Sequence, residues 1–219
     1  MKELFQKAIN DIVNNPTIHV LHNRWNPNPP GPLVIKLMRA HVKKEYGEDL
    51  SDEIVQLSEV ANNTYICWQA EAGGKTVGAE FFLKGLAELY AKTFDGTQVL
   101  KSFDAKLPPA KELSIFEDHP EFGDGQLVLI HRKNAKSKNA IWFYQNGYVY
   151  PMNLSYREYL EKICETHGIS WWQLFFCDFS DDSDNIEQHK MRMKNALESM
   201  TNLFPNNDYS YYQAICDKL

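Results

Sequence analysis

The chain has 219 residues, 43 % of them hydrophobic, 24 % charged and 13 % aromatic, an ordinary globular composition that excludes wholesale disorder and suits one domain with an appended segment. Lys and Arg number 23 against 29 Asp and Glu, a net charge of −6. A broad phosphate-binding face is therefore not expected, because duplex binding depends on cationic side chains that release counterions.

Leu4, Phe5, Ala8, Ile9, Ile12 and Val13 recur at helical steps and predict an amphipathic first helix ending near Asn14-Asn15-Pro16. The run Asn26-Pro27-Asn28-Pro29-Pro30-Gly31-Pro32 predicts an extended arm, with Pro32 able to begin a second helix. Leu33, Val34, Leu37, Met38, Val42 and Tyr46 are its expected apolar face, and Gly47 stops it. Ser51-Asp52-Glu53 supplies an N-cap and first-turn acids for a third helix carrying Ile54, Val55, Leu57 and Val60.

From Thr64 the pattern turns β-branched and aromatic, and Gly73-Gly74 predicts a hairpin to a partner strand over residues 76–81. Phe82, Leu86, Leu89 and Tyr90 suggest a short helix, and residues 98–103 and 113–116 short strands. Residues 126–131 form a strand entered through Gly123-Asp124-Gly125, and Asn146-Gly147 marks a second hairpin between residues 140–144 and 148–152. Ser155-Tyr156-Arg157-Glu158 is a capping box opening a helix that runs to Gly168. Beyond an apolar stretch at Trp171-Trp172-Gln173-Leu174-Phe175-Phe176-Cys177, Asp184-Asn185-Ile186-Glu187 resembles a second capping box, opening a long helix stopped by Pro205.

Helices at both ends of a strand-rich middle predict an α+β fold: a single domain with a largely antiparallel twisted sheet flanked by helices. The expected division is an N-terminal helix and arm over residues 1–32, an α+β domain over 33–165 and a helical extension over 166–219. Trp68, Leu127, Leu129, Ile141, Phe143, Tyr159 and Leu160 are expected in the core.

Catalytic constellations are sparse. The lysines and the acid within the first seven residues interrupt a signal-peptide core, and no 18 consecutive apolar residues occur, so a cytoplasmic chain without a membrane segment is expected. Cys67, Cys164, Cys177 and Cys216 contain no C-x-x-C pair and are read as reduced thiols. His19, His22 and His41 lack neighbouring carboxylate or thiol partners for a metal. Cys164 and His167, three apart on one helix, could pair as thiolate and imidazolium, but no third group orients them. The glycine turns do not have phosphate-loop spacing. Trp171-Trp172 could stack bases but has no basic groove beside it, which favours core packing. No metal, cofactor, nucleic-acid or membrane partner is expected, and no catalytic residue is assigned.

The acidic runs carry more information. Glu117, Asp118, Glu121 and Asp124 form one, and Asp178, Asp181, Asp182 and Asp184 another, each with aromatic anchors in loop-like sequence. Such runs ordinarily serve solubility. As a partner site they would steer a basic protein and accept charge-assisted hydrogen bonds from its Arg and Lys.

Three stretches in this order resemble the SUKH superfamily, the group that includes fungal glucan-synthesis regulators and many bacterial immunity proteins. They are the helix Leu50-Ser51-Asp52-Glu53-Ile54-Val55 followed by the Trp68 strand, the Gly123-Asp124-Gly125 turn into Gln126-Leu127-Val128-Leu129-Ile130, and the helix start Leu154-Ser155-Tyr156-Arg157-Glu158-Tyr159-Leu160. The chain departs from that pattern in having Asn62-Asn63 where the family has Asn-Gly, no proline near Leu50, and some 50 further residues after the sheet domain. The resemblance implies a non-catalytic binding protein that engages a protein partner such as a basic, nuclease-type toxin domain, or a regulatory interaction protein. A small cytosolic hydrolase or transferase with a dispersed active site is the alternative.

Overall fold

Two turns govern the strand order. Gly73 and Gly74 have φ of 59° and 76°, and Asn146 and Gly147 have φ of 49° and 90°. Positive φ at both central residues matches the right-handed twist of the flanking strands, so each pair closes a two-residue hairpin. The computed structural model describes residues 1–25, 30–47, 49–91, 94, 101–102, 107–123, 125–132, 140–179 and 182–218. The expected arm at residues 26–29, the strand expected over 98–103 apart from 101–102, and Asp124 and Asp181 lie outside these.

In chain order the elements are α1 (Lys2–Val13), β1 (Ile18–Arg24), α2 (Pro32–Tyr46), α3 (Asp52–Ala61), β2 (Tyr65–Ala72), β3 (Lys75–Leu83), α4 (Leu86–Ala91), β4 (Lys101–Ser102), β5 (Leu113–Asp118), β6 (Leu127–His131), β7 (Ile141–Gln145), β8 (Tyr148–Pro151), α5 (Tyr156–Thr166), α6 (Ile186–Leu203) and α7 (Ser210–Cys216). The strands form one open sheet in the order β1-β2-β3-β5-β6-β7-β8-β4. Neighbours are antiparallel throughout, except that the two-residue β4 runs parallel to β8. The α+β, largely antiparallel expectation is met. No helix among the described residues is long and apolar enough to cross a membrane.

β1 was not anticipated. It is an edge strand in which only Ile18, Val20 and, at 38 % exposure, Leu21 turn any apolar surface inward or outward, and a bulge between Val20 and His22 breaks its alternation.

The middle of the sheet is buried on both faces. Val128, Ile130, Ile141, Phe143 and Tyr150 join the main core, while Leu113, Leu129, Trp142, Tyr144 and Val149 form a smaller cluster on the other face. Strands covered on both sides read as continuous apolar runs rather than alternating ones. Of the expected core, Leu127 is only half-buried, against the smaller cluster; the other six residues are buried.

Both terminal segments enter the main core. α1 contributes Phe5, Ala8, Ile9 and Ile12, and the C-terminal stretch contributes Trp172, Leu174, Met193, Leu197 and Met200. Residues 1–25 and 166–218 therefore pack with the central stretch in one unit. α2 is rotated from its expected setting: Ile35, Met38 and Val42 pack inward, while Leu33, Val34 and Leu37 stay exposed. Residues 33 and 37 make one helical stripe and residues 35, 38 and 42 another; packing selected the second.

The Ser155 capping box forms, with Ser155 Oγ accepting from Glu158 N–H and Glu158 accepting from Ser155 N–H. The box expected at Asp184 does not. α6 begins at Ile186, and the side chain of its N-cap, Asn185, donates to Asp182 instead.

Leu160 on α5 is fully buried in the main core. Leu160→Ala should lower the unfolding free energy by about 2 to 5 kcal/mol in a denaturant titration, because the methyl groups removed leave a cavity the sheet cannot fill.

Candidate functional site

The first acidic run is divided between interior and surface. Glu117 and Asp118 belong to β5 rather than to a loop, and Glu117 is 0 % exposed. Tyr159 Oη donates to Glu117 Oε2, and Glu117 Oε1 lies 3.3 Å from His119 Nε2. Gln173 Nε2 reaches the same imidazole nitrogen at 3.2 Å. Burial pushes the Glu117 carboxyl well above its ordinary value, and burial pushes His119 down to about 4. Both shifts favour the neutral forms, so burial works against placing two ions in the interior.

Asp118 is partly exposed and pairs with Lys84 at 2.6 Å, with the Lys84 ammonium 3.5 Å from the centre of the Phe82 ring. Glu80, also buried, accepts from Glu121 N–H at 3.1 Å and Phe122 N–H at 2.6 Å, which holds the turn after β5. Of this run, Glu121 is exposed.

The second run divides in the same way. Asp182, 1 % exposed, accepts from Tyr150 Oη at 2.6 Å and from Asn185 Nδ2 at 3.1 Å, and lies 3.2 Å from His189 Nε2. Burial alone would raise this carboxyl, but the hydrogen bonds from Tyr150, His189 and Asn185 outweigh it and hold it below its ordinary value. Asp178 and Asp184 are exposed. The expectation of two loop-borne acidic faces is thus corrected: Glu117 and Asp182 are interior groups, while Glu121, Asp178 and Asp184 are exposed and Asp118 is partly so.

Cys164 and His167 do not form an activated pair. Burial pushes the Cys164 thiol up, and burial pushes His167 down to about 4. The His167 ring stacks on Phe204, with centroids 3.7 Å apart and planes 8° from parallel. Among the described residues no group of three His, Cys, Asp or Glu side chains is placed to hold a metal ion.

Among the described residues several open cavities offer places for a ligand, and two of them border the elements described above. One, of about 550 Å³, is lined in part by Asn153, Lys162, Phe176, Asp178 and Tyr211. The other, of about 310 Å³, lies where β3 and β5 part company. Those strands pair only at Phe82 and Leu83, and the backbone of residues 168–170 fills part of the gap. Gly168 O accepts from Glu80 N–H at 3.1 Å and Ser170 N–H donates to Gly78 O at 3.3 Å.

Trp171 then takes φ 73° and ψ 6°, a left-handed conformation that is rare for a bulky residue, and leaves the strand. The Arg192 guanidinium stacks 3.6 Å above the Trp171 ring and donates to Gln145 Oε1 at 3.3 Å. Phe122 lies directly on Gly78, where a Cβ would come within 2.6 Å of its ring. Core packing is expected of both tryptophans, and Trp171 packs half-buried against the main core. Only its neighbour Trp172 is fully buried, and nothing local in the sequence separates the two. A scan of family models, a search of curated proteins and a search of solved structures each found no match for this chain.

Asp182 and Asp184 should respond differently to truncation. Asp182→Ala removes the carboxylate that accepts from Tyr150 and Asn185 and should cost about 1 to 3 kcal/mol, while the exposed Asp184→Ala should stay within about 0.5 kcal/mol, both read from denaturant midpoints. His167 gives a pH signature. It is neutral in the fold down to about pH 4, whereas the unfolded chain takes up its proton near pH 6.5. The unfolded state is therefore favoured as pH falls through that window. Between pH 7 and 5 the protein should lose roughly 1 to 2 kcal/mol more than His167→Asn, whose side chain tolerates the same backbone region.

Proposed function

We propose that this chain is a non-catalytic protein-binding module that acts inside the cell, most simply as an immunity protein that neutralises a toxin. The three stretches that resemble the SUKH superfamily become the α3 to β2 passage, the entry into β6 and the capped start of α5, and they support this reading. The observation that carries it is a division of chemistry. Four groups with displaced proton affinities, Glu117, His119, Tyr159 and Asp182, lie inside the fold bonded to one another or to their neighbours. What meets solvent beside β3 is a cleft of aromatic, cationic and amide groups suited to recognition.

A net charge of −6 with exposed Glu121, Asp178 and Asp184 favours a basic partner at long range. Co-expression with the polypeptide encoded beside this chain should give a complex stable through size-exclusion chromatography and should abolish that polypeptide's toxicity. Its association rate should fall steeply as salt shortens the Debye length below about 10 Å. Absence of both complex and protection would exclude the immunity role.

A further inference from the structure

One edge of β3 is only half used. Its register with β2 runs unbroken from Lys75 to Phe82, so alternate residues turn their backbone groups to the same side. Glu80 N–H meets Gly168 O and Gly78 O meets Ser170 N–H, which puts Glu80, Gly78 and Thr76 on the edge facing away from β2. Residues 168–170 cover this edge as far as Gly78, and there Trp171 swings the chain away. Among the described residues nothing pairs with the N–H and C=O of Thr76 or with the N–H of Gly78.

That free stretch borders the cavity of about 310 Å³ beside Trp171 and Phe122. A row of unsatisfied strand groups and a side-chain pocket thus coincide, the combination by which extended peptides are recognised: main-chain bonds supply affinity and pockets for alternate side chains supply specificity. The lining contains two cations, Lys75 and Arg192, with Asn195 and Ser199, and no carboxylate. This is a local reversal of sign in a chain of net charge −6.

We propose that the cleft takes an extended segment of a partner polypeptide, which adds to the free edge of β3 at Thr76 and Gly78 and sets a carboxylate side chain against Lys75 and Arg192. The proposal rests on the protein-binding reading and names the chemistry of the segment bound. Trp171 has two parts in it: its backbone ends the internal pairing where the partner's begins, and its ring, with Phe122, walls the pocket.

The test is an array of seven-residue peptides whose three central positions vary, probed with the purified full chain and with Thr76→Pro, Lys75→Glu and Trp171→Ala. The N–H that Thr76→Pro removes bonds nothing among the described residues, and proline is tolerated on a free strand edge. An unchanged unfolding midpoint verifies the fold, and Lys75→Glu serves if that variant is destabilised. Peptides with Asp or Glu at the centre should bind about tenfold or more tightly than their Lys counterparts, and each variant should weaken them by about tenfold.

Equal binding of Lys peptides, or indifference to all three variants, overturns the proposal. So does a blank array when the neighbour-encoded polypeptide is still held equally by the protein and by Thr76→Pro; in that case the binding-module reading stands. A dimer that Thr76→Pro converts to monomer would give the edge to a second copy and overturn it as well.

Discussion

Glu117 sits on the middle strand β5 with no contact with water, and a carboxyl group in that position demands partners. Leaving it ionised and unpaired would cost more than the domain's whole stability margin, so burial raises its proton affinity and its neighbours supply a hydrogen bond. Tyr159 from α5 supplies the hydroxyl, and the Tyr159 ring in turn packs against Phe116 and Trp172. His119 stands beside the other oxygen and is held by Gln173. One buried acid therefore fixes the seat of α5 on the sheet and ties the chain beyond α5 back to the strand where the acid lies.

That tie explains why the terminal segments are parts of one core. Trp172 and Gln173 are fully buried next to this network, and α6 and α7 close over the same face with Met193, Met200 and Tyr212. α1 completes the cover, with Phe5 edge-on to Phe81 of β3. Residues beyond α5 thus supply hydrogen-bond partners that the sheet itself lacks.

The same region generates the cleft. Glu80 uses its side chain to hold the Glu121–Phe122 turn and its backbone N–H to hold Gly168. β5 can then leave β3 after two residue pairs, Phe122 is laid on Gly78, and the 168–170 stretch runs beside β3 only briefly. The interior polar network and the exposed strand edge are two sides of a single divergence between neighbouring strands.

Much of this protein was determined locally. The hairpins at Gly73-Gly74 and Asn146-Gly147, the helix stop at Gly47 and the capping box at Ser155 follow from backbone preferences that a few adjacent residues express. The class of fold follows from the order of helical and β-branched stretches. Tertiary structure decided what a short window cannot contain. Clustered acids look alike in sequence whether they are solvated, like Asp184, or enclosed, like Glu117 and Asp182, because the tyrosines that donate to the enclosed pair, Tyr159 and Tyr150, stand 42 and 32 residues away. β1 needs β2 to be a strand at all, α2 carries two apolar stripes of which packing buries one, and Trp171 and Trp172 are chemically identical neighbours divided by one left-handed turn. Long-range contact, and with it the placement of the cleft, is set by packing between segments that know nothing of each other in the sequence.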